Sequence, residues 1–304
     1  MAQDALPLSV TPVRRQMTFQ QSGRLMGYLL VAPLVVCILV LVVYPFVFAV
    51  WISFTDRMIG TEGAFVGLEN YINLVKQPSF AAAVSNTVVM VTAIQLLKLV
   101  LGLGIAVLLN QPIRGRQLWR SLILLPWAMP AFVAFITWKL LYAPQAGAFN
   151  TILIGLGFVD THVDFLSSEL ALPSVVFASF WRGFPFWVIS FLAAMQAIPR
   201  DQYESASLDG ASGWGRFWHV TLPGIRHVIL VVVLTSTIWT TNSFEAVWLL
   251  TGGGPSNATM TFPLLSYYGL QSLRIGEAAS ASVILLPIFA VLAVIIAVRL
   301  QKDD

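Results

Sequence analysis

The chain has 304 residues, of which 58% are hydrophobic and only 10% are charged. Its mean hydropathy of +0.81 excludes an ordinary soluble domain, in which about 45–50% of residues are apolar. The net charge of +3 is too small to indicate nucleic-acid binding. A single cysteine, Cys37, excludes an intrachain disulfide, and the three histidines lie too far apart in the sequence to suggest a metal site.

Six apolar stretches are long enough to cross a bilayer as helices. About 20 residues at 1.5 Å per residue span a hydrocarbon core of roughly 30 Å. The predicted spans are 27–52, 81–109, 118–142, 172–197, 227–250 and 277–300. We therefore predict an all-α, polytopic membrane protein with six transmembrane helices.

The first predicted span, 27–52, follows a basic segment at 1–26. This span is longer than the 7–15 apolar residues of a signal peptide, so we interpret it as an uncleaved anchor and 1–26 as a cytoplasmic tail. The other five spans define a membrane core at 80–300, which contains a long polar connector at 198–225.

Basic residues are distributed unevenly between the two sides of the predicted membrane. With the N-terminus in the cytoplasm, eleven fall on the cytoplasmic side: Arg14, Arg15, Arg24, Arg114, Arg116, Arg120, Arg200, Arg216, Arg226, Arg299 and Lys302. Three fall on the other side: Arg57, Lys76 and Arg274. Because cytoplasmic loops are enriched in Lys and Arg, we predict that both termini and the connector are cytoplasmic.

The second and third spans contain residues that are unusual in a membrane helix. Gln95 and Lys98 are three positions apart and so share one helix face. We interpret Lys98 as a residue that pairs with another subunit or snorkels to the interface, and not as a substrate contact. Pro126 and Pro130 predict a kink in the third span.

Arg182 lies in the fourth span, within the sequence WRGFPFW. The neighbouring Gly183 and Pro185 loosen the helix and free backbone carbonyls toward a cavity. One hypothesis is that Arg182 lines a transport path and contacts a substrate or a partner subunit. The other is that Glu245 or Glu169 neutralises its charge.

The connector at 198–225 contains the start and stop signals of two short helices. Pro199 favours a helix start, Gly210 a left-handed helix end, Ser212 the cap of a second helix, and Pro223 its end. These signals predict a helix–turn–helix finger. Two hypotheses remain for it: an aromatic anchor at the lipid headgroups, or a docking element for a soluble partner.

Polar residues in the fifth span predict a ligand contact. Thr241, Glu245 and Trp248 fall within about 60° of one helical face, and Asn242 adjoins them. A carboxylate, an amide and an indole together suit a polyhydroxylated ligand. The alternative is that Glu245 lies near the membrane surface and meets only water or Arg274.

The connector resembles the EAA loop of permease subunits in bacterial binding-protein-dependent ABC importers. The matching residues are Glu204, Ser205, Ala206, Asp209, Gly210, Ala211, Phe217, Val220, Leu222 and Pro223. They follow the family spacing of E-A-A, three residues, G, nine residues and I-x-L-P, with Ser205 in the second position and Val220 in place of isoleucine. The resemblance implies that the connector, with Glu204 and Gly210 at its contact, transmits closure of an ATP-hydrolysing subunit to the spans.

Other segments resemble the carbohydrate-uptake branch of this family. They are FVGLENY at 65–71, NT at 86–87, LLP at 124–126, WKLLYAPQAGAFN at 138–150, and LLTGGGP at 249–255, which is typical of the first of two permease subunits. The resemblance implies a type I ABC importer permease fold in the bacterial inner membrane and a sugar or polyol substrate. It also implies three partners: a second homologous permease, a cytoplasmic ATPase dimer that binds ATP and Mg²⁺, and an extracytoplasmic solute-binding protein.

The sequence contains no GxxxxGK[ST] motif for binding nucleotide phosphates. We therefore predict no cofactor site and no catalytic residues in this chain. Two alternatives remain: a secondary transporter, which is expected to show inverted repeats, and a membrane-embedded enzyme, which needs clustered titratable groups. Neither accounts for the polar connector.

Overall fold

The computed structural model describes residues 19–302, with side chains from 26 to 299. In this part of the chain the helices are α1 (Phe19–Ile38), α2 (Tyr44–Ser53), α3 (Glu69–Lys76), α4 (Pro78–Asn110), α5 (Arg116–Ala128), α6 (Ala131–Leu141), α7 (Ala148–Gly155), α8 (Ala171–Gln196), α9 (Arg200–Leu208), α10 (Gly213–Arg216), α11 (Leu222–Gly224), α12 (Arg226–Thr241), α13 (Phe244–Leu250), α14 (Phe262–Gln271), α15 (Ile275–Val283) and α16 (Leu286–Lys302). Short π-helical segments, Leu39–Val43 and Phe217–Thr221, connect α1 to α2 and α10 to α11. Two isolated antiparallel β-bridges are the only strand pairing in the described residues, so the all-α prediction is confirmed.

The chain divides into two compact units, Met1–Trp51 and Ile52–Asp304. In the described part of the first unit, nearly all side chains from 26 to 51 are apolar and exposed. A helix that is apolar on every side is stable when hydrocarbon surrounds it, because its backbone hydrogen bonds are satisfied internally.

Within residues 19–302, four helices are long and apolar enough to cross a membrane: Met26–Ser53, Pro78–Asn110, Ala171–Gln196 and Ile275–Arg299. Two bent helix pairs meet the same criterion if each pair is one span, which brings the number to the six that were predicted. These pairs are Arg116–Ala128 with Ala131–Leu141, bent by 90°, and Gly213–Gly224 with Arg226–Thr241, bent by 64°. The first part of the second pair lies in the polar connector, so only Arg226–Thr241 overlaps the predicted span 227–250.

The third predicted span bends where its prolines lie. Pro126 is inside α5, and Pro130 immediately precedes α6. Because a proline lacks the backbone N–H and its ring clashes with the preceding turn, the helix breaks between them. The predicted kink is therefore confirmed.

The second unit is organised around α4 and α8, which pack against each other along their lengths. Gly102 allows this close approach, because a Cβ at that position would lie 3.0 Å from the Cβ of Trp187. Trp187 and Phe191 are fully buried in a cluster to which α12 contributes Val232. A second cluster, which includes Met90, joins α4 to α6, α13 and α14.

Three asparagines hold loops of the second unit in place, and each donates hydrogen bonds to two backbone carbonyls. They are Asn70, with Ser53 and Thr55; Asn86, with Asn257 and Met260; and Asn150, with Pro144 and Val163. All three belong to the motifs that resemble the carbohydrate-uptake branch. In this fold those motifs therefore supply structural clamps.

Candidate functional site

The connector contains the predicted helix and left-handed turn. At the end of α9, the Ala211 N–H donates to the Ala206 carbonyl at 2.9 Å, and the Gly210 N–H donates to the Ser207 carbonyl at 3.1 Å. These two bonds form a Schellman motif. Gly210 has a φ of +80°, which glycine adopts without the steric penalty of a side chain.

The second arm of the connector begins at the predicted cap. The Ser212 side chain accepts a hydrogen bond from the Gly215 N–H at 3.2 Å, which satisfies one of the free donors at the start of α10. The helix then continues through the π-helical segment Phe217–Thr221, which the sequence did not predict. A hydrogen bond of 3.0 Å between the hydroxyls of Tyr203 and Thr221 ties the two arms together.

The two ends of the connector meet at the membrane core. A Cβ built on Gly224 would lie 2.7 Å from Cδ1 of Ile198, so the chain enters and leaves the connector in close contact. The next residue, Ile225, is fully buried in the same cluster as Trp187. This packing attaches the connector firmly to α8 and α12.

The far part of the connector carries an exposed apolar surface. Leu208 is 89% exposed, Trp214 70% and Trp218 48%. The rings of Trp214, Phe217 and Trp218 contact one another, with centroids 5.5 to 5.7 Å apart. Exposed apolar patches with polar surroundings mark protein or membrane interfaces.

The residues implied by the EAA resemblance differ in their exposure to solvent. Glu204, Ser205, Asp209, Gly210 and Pro223 are exposed, and Ala206, Ala211, Phe217 and Leu222 are half-buried. The exposed members are available to a partner. The half-buried members pack the finger itself.

The fifth predicted span is wrong as one continuous helix. α12 ends at Thr241, and Ser243 is extended (φ −72°, ψ 96°) before α13 begins at Phe244. The side-chain amide of Asn242 donates to the Ile238 carbonyl at 2.8 Å, and the Asn242 backbone N–H donates to the same carbonyl at 3.2 Å, so both groups cap the end of α12. The single helical face predicted for Thr241, Glu245 and Trp248 assumed an unbroken helix, so that geometry is wrong too.

The five residues predicted to line a substrate path have different surroundings. Asn242, Thr241 and Arg182 line three separate cavities of about 280, 350 and 100 Å³. Glu245 is exposed. Trp248 packs edge-on against a tyrosine ring of α14, with 4.6 Å between centroids. The fold therefore does not gather these residues into one pocket.

A polar network between α4, α8 and α12 was missed by the substrate-path prediction. The Ser236 hydroxyl donates to Oε1 of Gln95 at 3.0 Å, and accepts from Nε1 of Trp187 at 3.0 Å and from Nζ of Lys98 at 3.3 Å. Nζ of Lys98 also donates to Oγ1 of Thr240 at 3.4 Å. The spacing of Gln95 and Lys98 indicated a shared face, but no signal in the sequence identified Ser236 as their common partner.

Comparison with known proteins agrees with this architecture. Residues 98–302 match the family described as binding-protein-dependent transport system inner membrane component. The trehalose/maltose transport system permease protein MalF of Thermococcus litoralis is 38% identical over 259 residues, which cover 84% of this chain and 87% of that protein. The sulfoquinovosyl glycerol transport system permease protein SmoG of Agrobacterium fabrum is 31% identical over 284 residues, which cover 92% of each protein.

A solved structure shows the same fold. A chain of a bacterial ABC transporter involved in the import of the acidic polysaccharide alginate matches with a TM-score of 0.81 and 21% identity, over 92% of this chain and 96% of that chain. The helical, multi-pass fold and the family match over more than 200 residues lead to one conclusion. The chain belongs to the family of inner membrane components of binding-protein-dependent transport systems.

Proposed function

We propose that this chain is a permease subunit of an ATP-driven ABC importer for a sugar or polyol. Family membership and the names of the trehalose/maltose and sulfoquinovosyl glycerol relatives support this function. A second homologous permease would complete the translocation path, and an extracytoplasmic solute-binding protein would deliver the sugar. A cytoplasmic ATPase dimer would bind ATP and Mg²⁺, so this chain acts as a transport subunit and not as an enzyme.

The exposed connector is the observation that carries the coupling part of this proposal. Its helices are too short to be stable alone in water, yet Trp214 and Leu208 project into solvent from a finger that is closed at its base. An apolar surface on short, rigidly attached helices suits insertion into a groove of a soluble partner. We propose that the ATPase provides this groove and that Glu204 and Gly210 lie at the contact.

This coupling requires a defined orientation in the inner membrane. We propose that both termini and the connector 198–225 face the cytoplasm, because basic residues are concentrated on that side. We also propose that 1–26 is a cytoplasmic tail, that 27–52 is an uncleaved anchor and that 80–300 forms the permease core. ATP-driven closure of the ATPase would then push through the connector and turn the path outward to receive the solute.

We retain Thr241, Asn242, Glu245, Trp248 and Arg182 as proposed path residues. The helix break between α12 and α13 exposes both Asn242 and Glu245, and broken helices commonly line cavities in membrane proteins. Because the five residues do not share one cavity, the second permease would have to complete the site. Replacing Asn242 or Glu245 with Ala should weaken solute uptake without reducing assembly, and unchanged uptake kinetics would contradict this assignment.

A purification from native membranes tests the proposed function. The tagged chain is extracted in mild detergent, and the proteins that accompany it are identified by mass spectrometry. We expect a second permease and an ATPase with a phosphate-binding motif. A chain that is recovered alone and remains active without ATP would instead indicate a secondary transporter or a membrane enzyme.

A further inference from the structure

A small cavity with polar and aromatic walls lies where α4, α8 and α12 meet, and it has a volume of about 100 Å³. Two of its lining residues, Lys98 and Arg182, are cationic, and none is acidic. Both residues lie near the middle of their helices, so we expect both charges to lie well inside the membrane. Ionisable groups at this depth are costly and mark substrate or ion pathways.

Lys98 is buried without a counter-charge in the described part of the chain. It is only 6% exposed, and its Nζ donates only to the hydroxyls of Ser236 and Thr240, at 3.3 and 3.4 Å. These distances are longer than the 2.7–3.2 Å of good N–H···O bonds. Neutral hydroxyl dipoles solvate the ammonium group but leave its net charge in place.

Arg182 also lacks a counter-charge in the described part of the chain. Its Nε is buried and has no hydrogen-bond partner within the described residues. Neither Glu169 nor Glu245, the two acids considered from the sequence, forms a salt bridge with it in that part of the chain. Because Arg182 and Lys98 line the same small cavity, their two positive charges repel each other.

Two neighbouring cations in a region of low dielectric constant attract an anion strongly, because the anion offsets both their repulsion and their lost hydration. We propose that Lys98 and Arg182 form an anion-binding subsite on the translocation path and that the transported solute is an acidic sugar. Its carboxylate, phosphate or sulfonate group would lie between the two side chains. This inference rests on the proposed transport function.

The other walls of the cavity suit the uncharged part of such a solute. Trp127 and Trp239 line it with half-exposed indole rings, which can cover the apolar face of a sugar ring. The guanidinium of Arg182 has a planar pair of donors that matches a carboxylate or phosphate, whereas Lys98 supplies a point charge. The volume of about 100 Å³ accommodates the charged group and the adjoining part of a ring.

The test measures equilibrium binding to the intact importer complex in nanodiscs of phosphatidylcholine. The probes are glucuronate and glucose 6-phosphate, with glucose as the neutral match. We expect the wild-type complex to bind an acidic probe at least tenfold more tightly than glucose. Lys98→Met and Arg182→Met should each reduce this preference to less than twofold, because each removes one charge and retains an apolar stem. Equal binding of all three sugars, or no binding of either acidic probe, would overturn the proposal.

The control variant is Lys139→Met, which removes the charge of an exposed lysine in α6 and should leave the preference unchanged. A loss of preference in this variant too would mean that overall charge, not the subsite, produces it. The same titrations in nanodiscs that contain phosphatidylglycerol identify the source of the anion. Strong competition by this lipid would assign the subsite to a lipid headgroup and overturn the solute assignment.

Two further measurements separate the remaining outcomes. Reduced recovery of the second permease with Lys98→Met would show that Lys98 pairs with an acid of that subunit, which overturns the anion subsite. ATP-driven uptake of the solute delivered by the binding protein is measured in parallel. Intact uptake without charge preference would refute the anion subsite alone, whereas a complex without an ATPase would refute the proposed transport function.

Discussion

The head of Lys98 occupies the space that a side chain at Gly183 would take. A Cβ built on Gly183 would lie 2.6 Å from both Cε and Nζ of Lys98. This relationship between α4 and α8 explains how a long cationic side chain fits inside a closely packed helix pair. The absence of a side chain at one position creates the room for the other.

The first prediction concerns this pair. Gly183→Ala should leave the fold intact, because the clashing atoms are the flexible end of a lysine and Ala is the better helix former by about 1 kcal/mol. Lys98 should be displaced, and the preference of the complex for glucuronate over glucose should fall at least fivefold. Binding titrations and thermal unfolding of the purified complex check both parts.

The matched control is Gly104→Ala in α4, the helix that carries Lys98, where an added Cβ meets nothing within 4 Å. It should preserve the preference and leave the unfolding midpoint unchanged or slightly raised. A wild-type preference in Gly183→Ala would show that the position of the lysine head does not matter.

The second prediction concerns the left-handed turn of the connector. Gly210→Ala should strain the backbone by about 1–2 kcal/mol, because φ is +80° although no neighbouring atom lies within 4 Å of the added Cβ. ATP-driven uptake should fall several-fold. Gly210→Asn should restore most of the activity, because Asn tolerates this conformation.

Gly215 provides the control for this turn. It is helical, and an added Cβ would make ordinary contacts of 3.6 Å, so Gly215→Ala should be close to wild type. If Ala and Asn at position 210 reduced uptake equally, side-chain volume rather than backbone conformation would be the cause.

The third prediction concerns the contact with the ATPase. Glu204→Lys reverses an exposed charge on α9 and should reduce uptake at least tenfold while the ATPase still hydrolyses ATP. Asp201→Lys, which reverses another exposed charge in the first turn of the same helix, is the matched control. Parallel assays of hydrolysis and uptake in proteoliposomes provide the measurement. Equal losses in both variants would indicate a general effect of charge on the surface of the connector.

The fourth prediction concerns one of the asparagine clamps. Asn150 is fully buried and makes three hydrogen bonds: Nδ2 donates to the carbonyls of Pro144 and Val163 at 3.0 and 2.9 Å, and Oδ1 accepts from the Val163 N–H at 2.8 Å. Asn150→Ala leaves these backbone groups unpaired, each at a cost of about 1–3 kcal/mol. The thermal unfolding midpoint of the purified permease should therefore fall clearly. Asn73→Ala, at an exposed position of α3, should change it little, and a similar drop in both variants would argue against a specific clamp.

Local chemistry made part of this structure predictable. Hydropathy located the apolar helices except for the break in the fifth predicted span. Pro126 and Pro130 located the bend in the third span, and Gly210 with Ser212 located the turn of the connector. Each of these signals acts within a few residues of itself. The helices and the turn of the connector were therefore predictable, except for the π-helical segment Phe217–Thr221.

Features that depend on contacts between distant segments were not predictable in the same way. The break between α12 and α13 contains neither proline nor glycine, and it became visible only from the backbone geometry at Asn242 and Ser243. The presence of Lys98 and Arg182 in one cavity depends on how α4 and α8 are aligned along their lengths. A sequence pattern within either helix does not specify that alignment.

The contact between Ile198 and Gly224 makes the connector a closed excursion of the chain. A segment whose two ends meet can be exchanged for another of the same span without moving the helices to which it is attached. With the ATPase contact proposed above, the residues that choose the ATPase can therefore change independently of the solute path. Permeases that carry different solutes could in this way use the same ATPase. A permease could also pair with a different ATPase after replacement of only the residues between Ile198 and Gly224.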